Sequence, residues 1–265
     1  MTKRMSFTPA TLLGLSVLAG RAIGTPAAGD SYLSYSGTAS EPHSMTFLYG
    51  EQHALAFRDG RLAERVVLYT CRDGSPFARK TVAYENPLAP NFLLEDSSNS
   101  SRAGVHPDGG ERRVFFRGDG AEEERTGPLP SVRGLVADSG FDQFIRGNWP
   151  ALMVGTPLEL HFLVPSRLDD MRFQLQHQGS ETLDGTAVEV FRLKLVGILG
   201  WVLPAIDVYY GADDHVLRRY DGPSDLRDAA GNNYRAQILF HEADRAVSDA
   251  QLFAEARRAR LAPCT

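Results

Sequence analysis

Period-two alternation limits what this chain can fold into more than any other feature. Leu158, Leu160, Phe162 and Val164 fall on one face of an extended segment, with Glu159 and His161 on the other. Met171, Phe173 and Leu175 alternate with Arg172, Gln174 and Gln176, and Tyr234, Ala236, Ile238 and Phe240 alternate with Arg235 and Gln237. Successive side chains of a strand point to opposite faces, so each pattern reads as an antiparallel strand with one buried and one solvated side. Asp59-Gly60, Asp73-Gly74 and Asp184-Gly185 punctuate runs rich in β-formers. Such dipeptides supply the positive φ that tight hairpins require. Asp213-Asp214, between Val208-Tyr209-Tyr210 and Val216-Leu217, reads as one more hairpin turn. Around Val190-Phe191 the parity slips by one residue, which a β-bulge would absorb.

Helical signal is scarce. Ser139 with Asp142 three positions on resembles a capping box, ahead of Phe141, Phe144 and Ile145 on one face, and Pro150 limits the length. A second helix is expected to begin at Ser248, with Gln251 at its third position, and to run toward Leu261. The stretches Ser97 to Gly110 and Arg117 to Pro130 are rich in Gly, Pro and polar residues and read as irregular. No internal repeat is visible. The expected organisation is a leader over 1–28, a single β-rich domain over 29–245, and a helix and tail over 246–265. The expected fold is mainly β, a curved antiparallel sheet or open half-barrel of roughly ten strands with a short helix at its mouth. A β-sandwich is the alternative.

Lys3 and Arg4, the apolar stretch Leu12 to Ala19 and the small residues that follow have the layout of a secretory signal peptide. Its apolar core is far shorter than the ~20 residues that span a bilayer. The expected location is the periplasm or the exterior. The formal net charge of -5 argues against nucleic acid as a partner. Cys71 and Cys264 could form a disulfide in an oxidising compartment, closing a loop worth up to ~5 kcal/mol. Two unpaired thiols are the reading slightly favoured, because pairing demands a fit between distant Cα atoms.

Reactive constellations are thin. Ser31, in Gly29-Asp30-Ser31, has no preceding strand to set it on a nucleophile's sharp turn. The seven histidines, among them His53, His161, His177, His215 and His241, show no metal-ligand spacing and read as solvated. Asp169-Asp170 and Asp213-Asp214 read as turn acids rather than as an acid–base pair. No catalytic residue, metal ligand or cofactor is expected. The apolar segment Leu193 to Tyr210 carries Gly197, Gly200 and Pro204, so it reads as two strands joined by an apolar turn with Trp201 near its tip. That turn is either covered by the Phe141–Trp149 helix or exposed as a lip toward lipid or a partner. Arg167, in Pro165-Ser166-Arg167-Leu168-Asp169, stands at a rim; it could meet an anionic head group or the neighbouring acid.

The sets Gly140-Phe-Asp-Gln-Phe-Ile-Arg, Phe162-Leu-Val-Pro-Ser-Arg and Ile206-Asp-Val-Tyr-Tyr with Leu217-Arg-Arg-Tyr-Asp-Gly resemble uncharacterised bacterial envelope proteins, over roughly residues 31 to 241. That group is comparable to DUF3108-type domains and to the lipoprotein carriers of the outer-membrane sorting pathway. The resemblance implies a sheet curled round a helix, with a concave apolar face for acyl chains. The chain departs from a lipoprotein at Leu18-Ala19-Gly20, which is followed by Arg21 and not cysteine. The function expected is non-catalytic binding of an apolar small molecule, a lipid or an envelope protein, with Phe162, Phe173, Phe191, Trp201 and Arg167 lining the site. A periplasmic hydrolase assembled by the fold and a structural factor without a pocket are the competing readings.

Overall fold

The computed structural model describes residues 29–120, 123–197, 205–228 and 230–264. The leader, Trp201 and the rest of the 198–204 tip lie outside the described residues. Eight strands form the N-terminal half: β1 (Asp30–Ser40), β2 (Phe47–Arg58), β3 (Arg61–Thr70), β4 (Pro76–Ala83), β5 (Asn91–Asp96), β6 (Ser101–Asp108), β7 (Glu111–Arg117) and β8 (Arg125–Pro128). After β9 (Leu135–Val136) and two short helices, α1 (Gly140–Gly147) and α2 (Trp149–Met153), come six more: β10 (Leu158–Val164), β11 (Asp169–Leu183), β12 (Thr186–Leu195), β13 (Ile206–Gly211), β14 (Leu217–Arg227) and β15 (Asn233–Ser248). Helix α3 (Ala250–Arg258) follows.

The fifteen strands among the described residues belong to one sheet, running from β8 down to β1 and then from β15 down to β9. Each half is a meander of neighbours, and the halves join where β1 pairs with β15, Tyr32 opposite Ser248 and Ser40 opposite Gln237. Among the described residues only β9 and β10 run parallel. The body is therefore a single open sheet and not two facing ones. It is larger than the sequence suggested because the stretches read as irregular contain β6 and β8. The Asn99-Ser100 and Gly109-Gly110 turns close hairpins there, with Ser100 at φ 58°. The bulge expected near Val190-Phe191 is present, with the extra residue, Gln178, in the partner strand opposite them.

The sheet curls until its edges approach without pairing. Arg125 of β8 donates to the Ser166 carbonyl at 2.8 Å. Gly127 lies against Leu168, which closes the single 3₁₀ turn Pro165–Arg167 after β10. We call this approach the seam.

Helices α1 and α2 fill the concave side. Gly140 is required at the start of α1: an added Cβ would stand 1.9 Å from the Leu88 carbonyl oxygen. Ser139 takes the N-cap position but makes no capping bond, so the expected capping box is absent. Its hydroxyl accepts from Tyr84 Oη at 2.8 Å instead. Pro150 does not end a helix; it stands in the first turn of α2, where its missing N–H costs nothing.

On the convex side, Phe253 and Ala256 of α3 cover Ala54, Ala56 and Val66. The N-cap of α3 is Asp249, whose carboxylate accepts from the Gln251 and Leu252 amides at 2.8 and 2.9 Å. Ser248, the expected cap, is still paired in β15. The tail then runs back along β4. Arg79 donates to the Ala259 carbonyl (3.0 Å), the Ala262 amide to that of Pro76 (3.1 Å), and Cys264 is disulfide-bonded to Cys71 with Cα atoms 5.6 Å apart. The preference for unpaired thiols is thus overturned, because the tail pairs with the start of β4 and is carried to Cys71 on the preceding turn.

Candidate functional site

Two features of the concave side stand out. The first is a cavity of about 180 Å³ beside the seam. Its apolar walls are Phe92 and Leu94 of β5, Phe116 of β7, Phe162 and Leu163 of β10, and Pro165; Asp138, Asp225, Arg227 and Asn233 make its polar end. The alternation that put Phe162 on an apolar face holds here: it touches Phe173 and Phe141 edge-on, with centroids 6.1 and 6.2 Å apart.

The second is a set of buried charges between α1 and β1–β4. Lys80 of β4 is 8% exposed; its ammonium lies 2.7 Å from Asp138 and also pairs with Asp225 of β14. Burial works against the charge of Lys80, but the two carboxylates outweigh it and hold its pKa well above normal. Burial likewise opposes ionisation of Asp138, and the Lys80 ammonium overcomes that and lowers its pKa. Arg65 of β3 stands 3.8 Å from Asp142 of α1. Burial opposes its charge too, yet Tyr84, Tyr35, Asp142 and Asp138 around it raise its pKa. His53 of β2 shares a 2.7 Å hydrogen bond with Glu51 and stacks on Tyr35 at 4.3 Å, while its Nδ1 has no partner among the described residues. Burial dominates there and lowers the His53 pKa, against the pull of Glu51.

Sequence reasoning placed His53 with the solvated histidines and passed over Lys80, Arg65 and Glu51. A signal was present. Lys80 has the same parity as Ala78 and Val82, and Glu51 and His53 the same parity as Tyr49 and Leu55, which are all buried. An ionisable residue on the apolar side of a strand marks a buried pair more often than a solvated one.

The expected site residues separate. Phe191 is fully buried against Trp149 and Tyr210, with centroids 5.0 and 6.1 Å away, inside the packing of α1 and α2 on β10–β13. Phe173 packs against the same cluster from the side. Arg167 is exposed on the turn next to the cavity wall. Ser31 lies in β1. Asp213-Asp214 forms the β13–β14 turn, and Asp214 accepts from the Val216 amide at 3.0 Å. Asp170 pairs with His161 at 2.6 Å across β10 and β11.

One group looks like hydrolase machinery: His177, Glu189 and Ser180. His177 Nε2 lies 2.7 Å from Glu189, and Ser180 donates to the same carboxylate at 2.9 Å. Serine and histidine both turn to the acid and not to each other, so the serine–histidine hydrogen bond of a triad is not formed. Among the described residues no three His, Cys, Asp or Glu side chains are grouped to hold a metal ion, and no helix is long and apolar enough to cross a membrane.

No protein-family model matches the chain, and no curated protein does. Solved structures do show similarity. A β-barrel-like protein of domain of unknown function DUF1849 from Brucella abortus is 10% identical, over 83% of this chain and 98% of that one, with a TM-score of 0.47. A putative outer membrane lipoprotein-sorting protein domain from Vibrio parahaemolyticus is 8% identical over 89% and 93%, with a TM-score of 0.32. A DUF1329 family protein from Desulfovibrio piger is 9% identical over 90% and 93%, also with a TM-score of 0.32.

Proposed function

We propose that this protein is a non-catalytic binder of an apolar ligand in the cell envelope, and that the ligand enters the cavity at the seam. The observation that carries the reading is the cavity itself. About 180 Å³ of space, open to solvent on one side, lies between aromatic and aliphatic walls beside the seam. An engineered apolar cavity of ~150 Å³ takes up benzene, so the space suits one ring or a short acyl segment rather than a whole lipid. Removing that segment from water stabilises the complex by ~25 cal/mol per Å². The export-type leader and a disulfide tying residues 193 apart both fit an oxidising envelope compartment.

The test is titration calorimetry with toluene, a single apolar ring of the size the cavity holds. Wild type should bind it. Ala103→Leu, which fills the cavity from β6, should lose at least about tenfold in affinity, the effect of ~1.4 kcal/mol. Equal binding by both proteins, or no binding by wild type, would sink the reading.

A further inference from the structure

The cavity has a charged mouth that the apolar reading does not use. Phe116, one of its walls, has two guanidinium groups within cation–π reach: Arg125 of β8, 5.4 Å from the ring centroid, and Arg227 of β14, which also lines the cavity, 5.0 Å from it. Each makes a single hydrogen bond to a backbone carbonyl, Arg125 to Ser166 and Arg227 to Gly231 at 3.0 Å. Among the described residues neither has a carboxylate within ion-pair distance, unlike Arg192 on Asp207 or Arg219 on Asp221. Two carboxylates do face the cavity, Asp138 and Asp225, but both are committed to Lys80. Arg167 is exposed on the adjoining turn, and Asp119 approaches Gly231, whose carbonyl accepts from Arg227.

A guanidinium is a planar fork suited to bidentate oxyanions, and an aromatic ring beneath it fixes the fork without using its donors. One such fork in the cavity's lining and a second bonded to the carbonyl of the lining residue Ser166 match a particular ligand shape: a hydrocarbon end inside and an anion outside. We infer that the ligand is an anionic amphiphile, whose carboxylate or phosphate is held by Arg125 and Arg227 while its hydrocarbon segment enters the cavity between Phe116 and Phe162. The inference rests on the apolar-cavity reading and names the ligand class for it. Because Arg125 also ties β8 to the turn after β10, its engagement with the anion couples head-group capture to the seam through which the hydrocarbon passes.

Titration calorimetry of the full, delipidated chain with octyl phosphate, octanoate and octanol at neutral pH tests this. At least one of the two anions should bind about tenfold or more tightly than octanol; the tighter anion tells whether the head group is a phosphate or a carboxylate. Arg125→Gln with Arg227→Gln should bring the anions to within about twofold of octanol and leave octanol unchanged. Should that double variant fold poorly, wild type alone decides: added salt should weaken the anions and spare octanol. Octanol binding as tightly as both anions, or anion binding indifferent to salt, overturns the head-group inference while the apolar site stands. No binding by any of the three overturns the apolar site as well.

Discussion

The two halves of the concave face bury the same helical segment by different means. Toward β10–β13 the contact is apolar: Ile145, Trp149 and Leu152 pack on Leu160, Leu175, Phe191, Leu193 and Val208. Toward β3 and β4 it is polar: Asp138 meets Lys80, Ser139 meets Tyr84, Asp142 faces Arg65, and the Ala137 amide donates to the Leu88 carbonyl at 2.9 Å. The difference matters because the two kinds of contact respond to different things. Apolar packing is indifferent to pH and tolerant of small shifts in direction. A buried ion pair adds little net stability but is costly to break singly, so it fixes position. The apolar half holds the helices in place, and the polar half sets where the segment before α1 stands, including Asp138 at the cavity's end.

Breaking the polar half from one side should have the largest effect. Lys80→Ala leaves Asp138 buried without its cation, and denaturant unfolding should show a loss of about 3–5 kcal/mol. Lys80→Met with Asp138→Asn removes both charges and should recover most of it. Asn suits the site because residue 138 has φ 47°, which asparagine tolerates. A double variant no better than the single one would show that the pair contributes attraction beyond mutual neutralisation. On the apolar side, Ile145→Ala should cost about 2–5 kcal/mol by the same measurement, with no rescue by a second substitution. Removing one hydrogen bond of the polar half, by Ser139→Ala, should cost less, about 1 kcal/mol.

The finest distinction is in pH. His53 is buried and its folded pKa lies below the ordinary value near 6.5. Its contribution to stability is therefore complete above the unfolded pKa and falls away as pH drops through that value toward the folded one. Melting curves between pH 7.5 and 5 should show this loss, and His53→Gln should flatten it. For Lys80 and Asp138 the window is wider. Asp138, with its pKa lowered, loses its contribution only as pH falls below the ordinary carboxylate value near 4, and Lys80, with its pKa raised, loses its own only in strong alkali. A decline shared by His53→Gln across the same range would move the pH sensitivity elsewhere.

Local β structure was readable because its causes are local. Asp59-Gly60 and Asp184-Gly185 adopt the positive φ their turns need, the 158–164 and 171–176 alternations pair as neighbours, and the bulge near Val190-Phe191 shows as a slip of parity. What escaped depends on partners distant in sequence. Nothing near Tyr32 announces Ser248, yet that pairing joins the two meanders. The disulfide depends on where the tail lies, which is set by β4. The cavity forms where β5, β6 and β7 curl over to face the end of β10 and the turn after it, and Lys80 is intelligible only once Asp138 and Asp225 are brought to it. Phe162 was placed on the right face; Phe191, on an equally apolar face, ended under Trp149, because alternation identifies a buried side without saying what buries it.

The central claim is that the space between Phe116 and Phe162 accepts hydrocarbon. A crystal structure of the protein grown with an ω-brominated octanoate tests it most directly, through the anomalous signal of bromine. The account expects one dominant peak inside the cavity, among Phe92, Phe116 and Phe162, with the carboxylate toward Arg125 and Arg227. Bromine located only on the convex face, or a cavity that stays empty while ligand binds elsewhere, would contradict it.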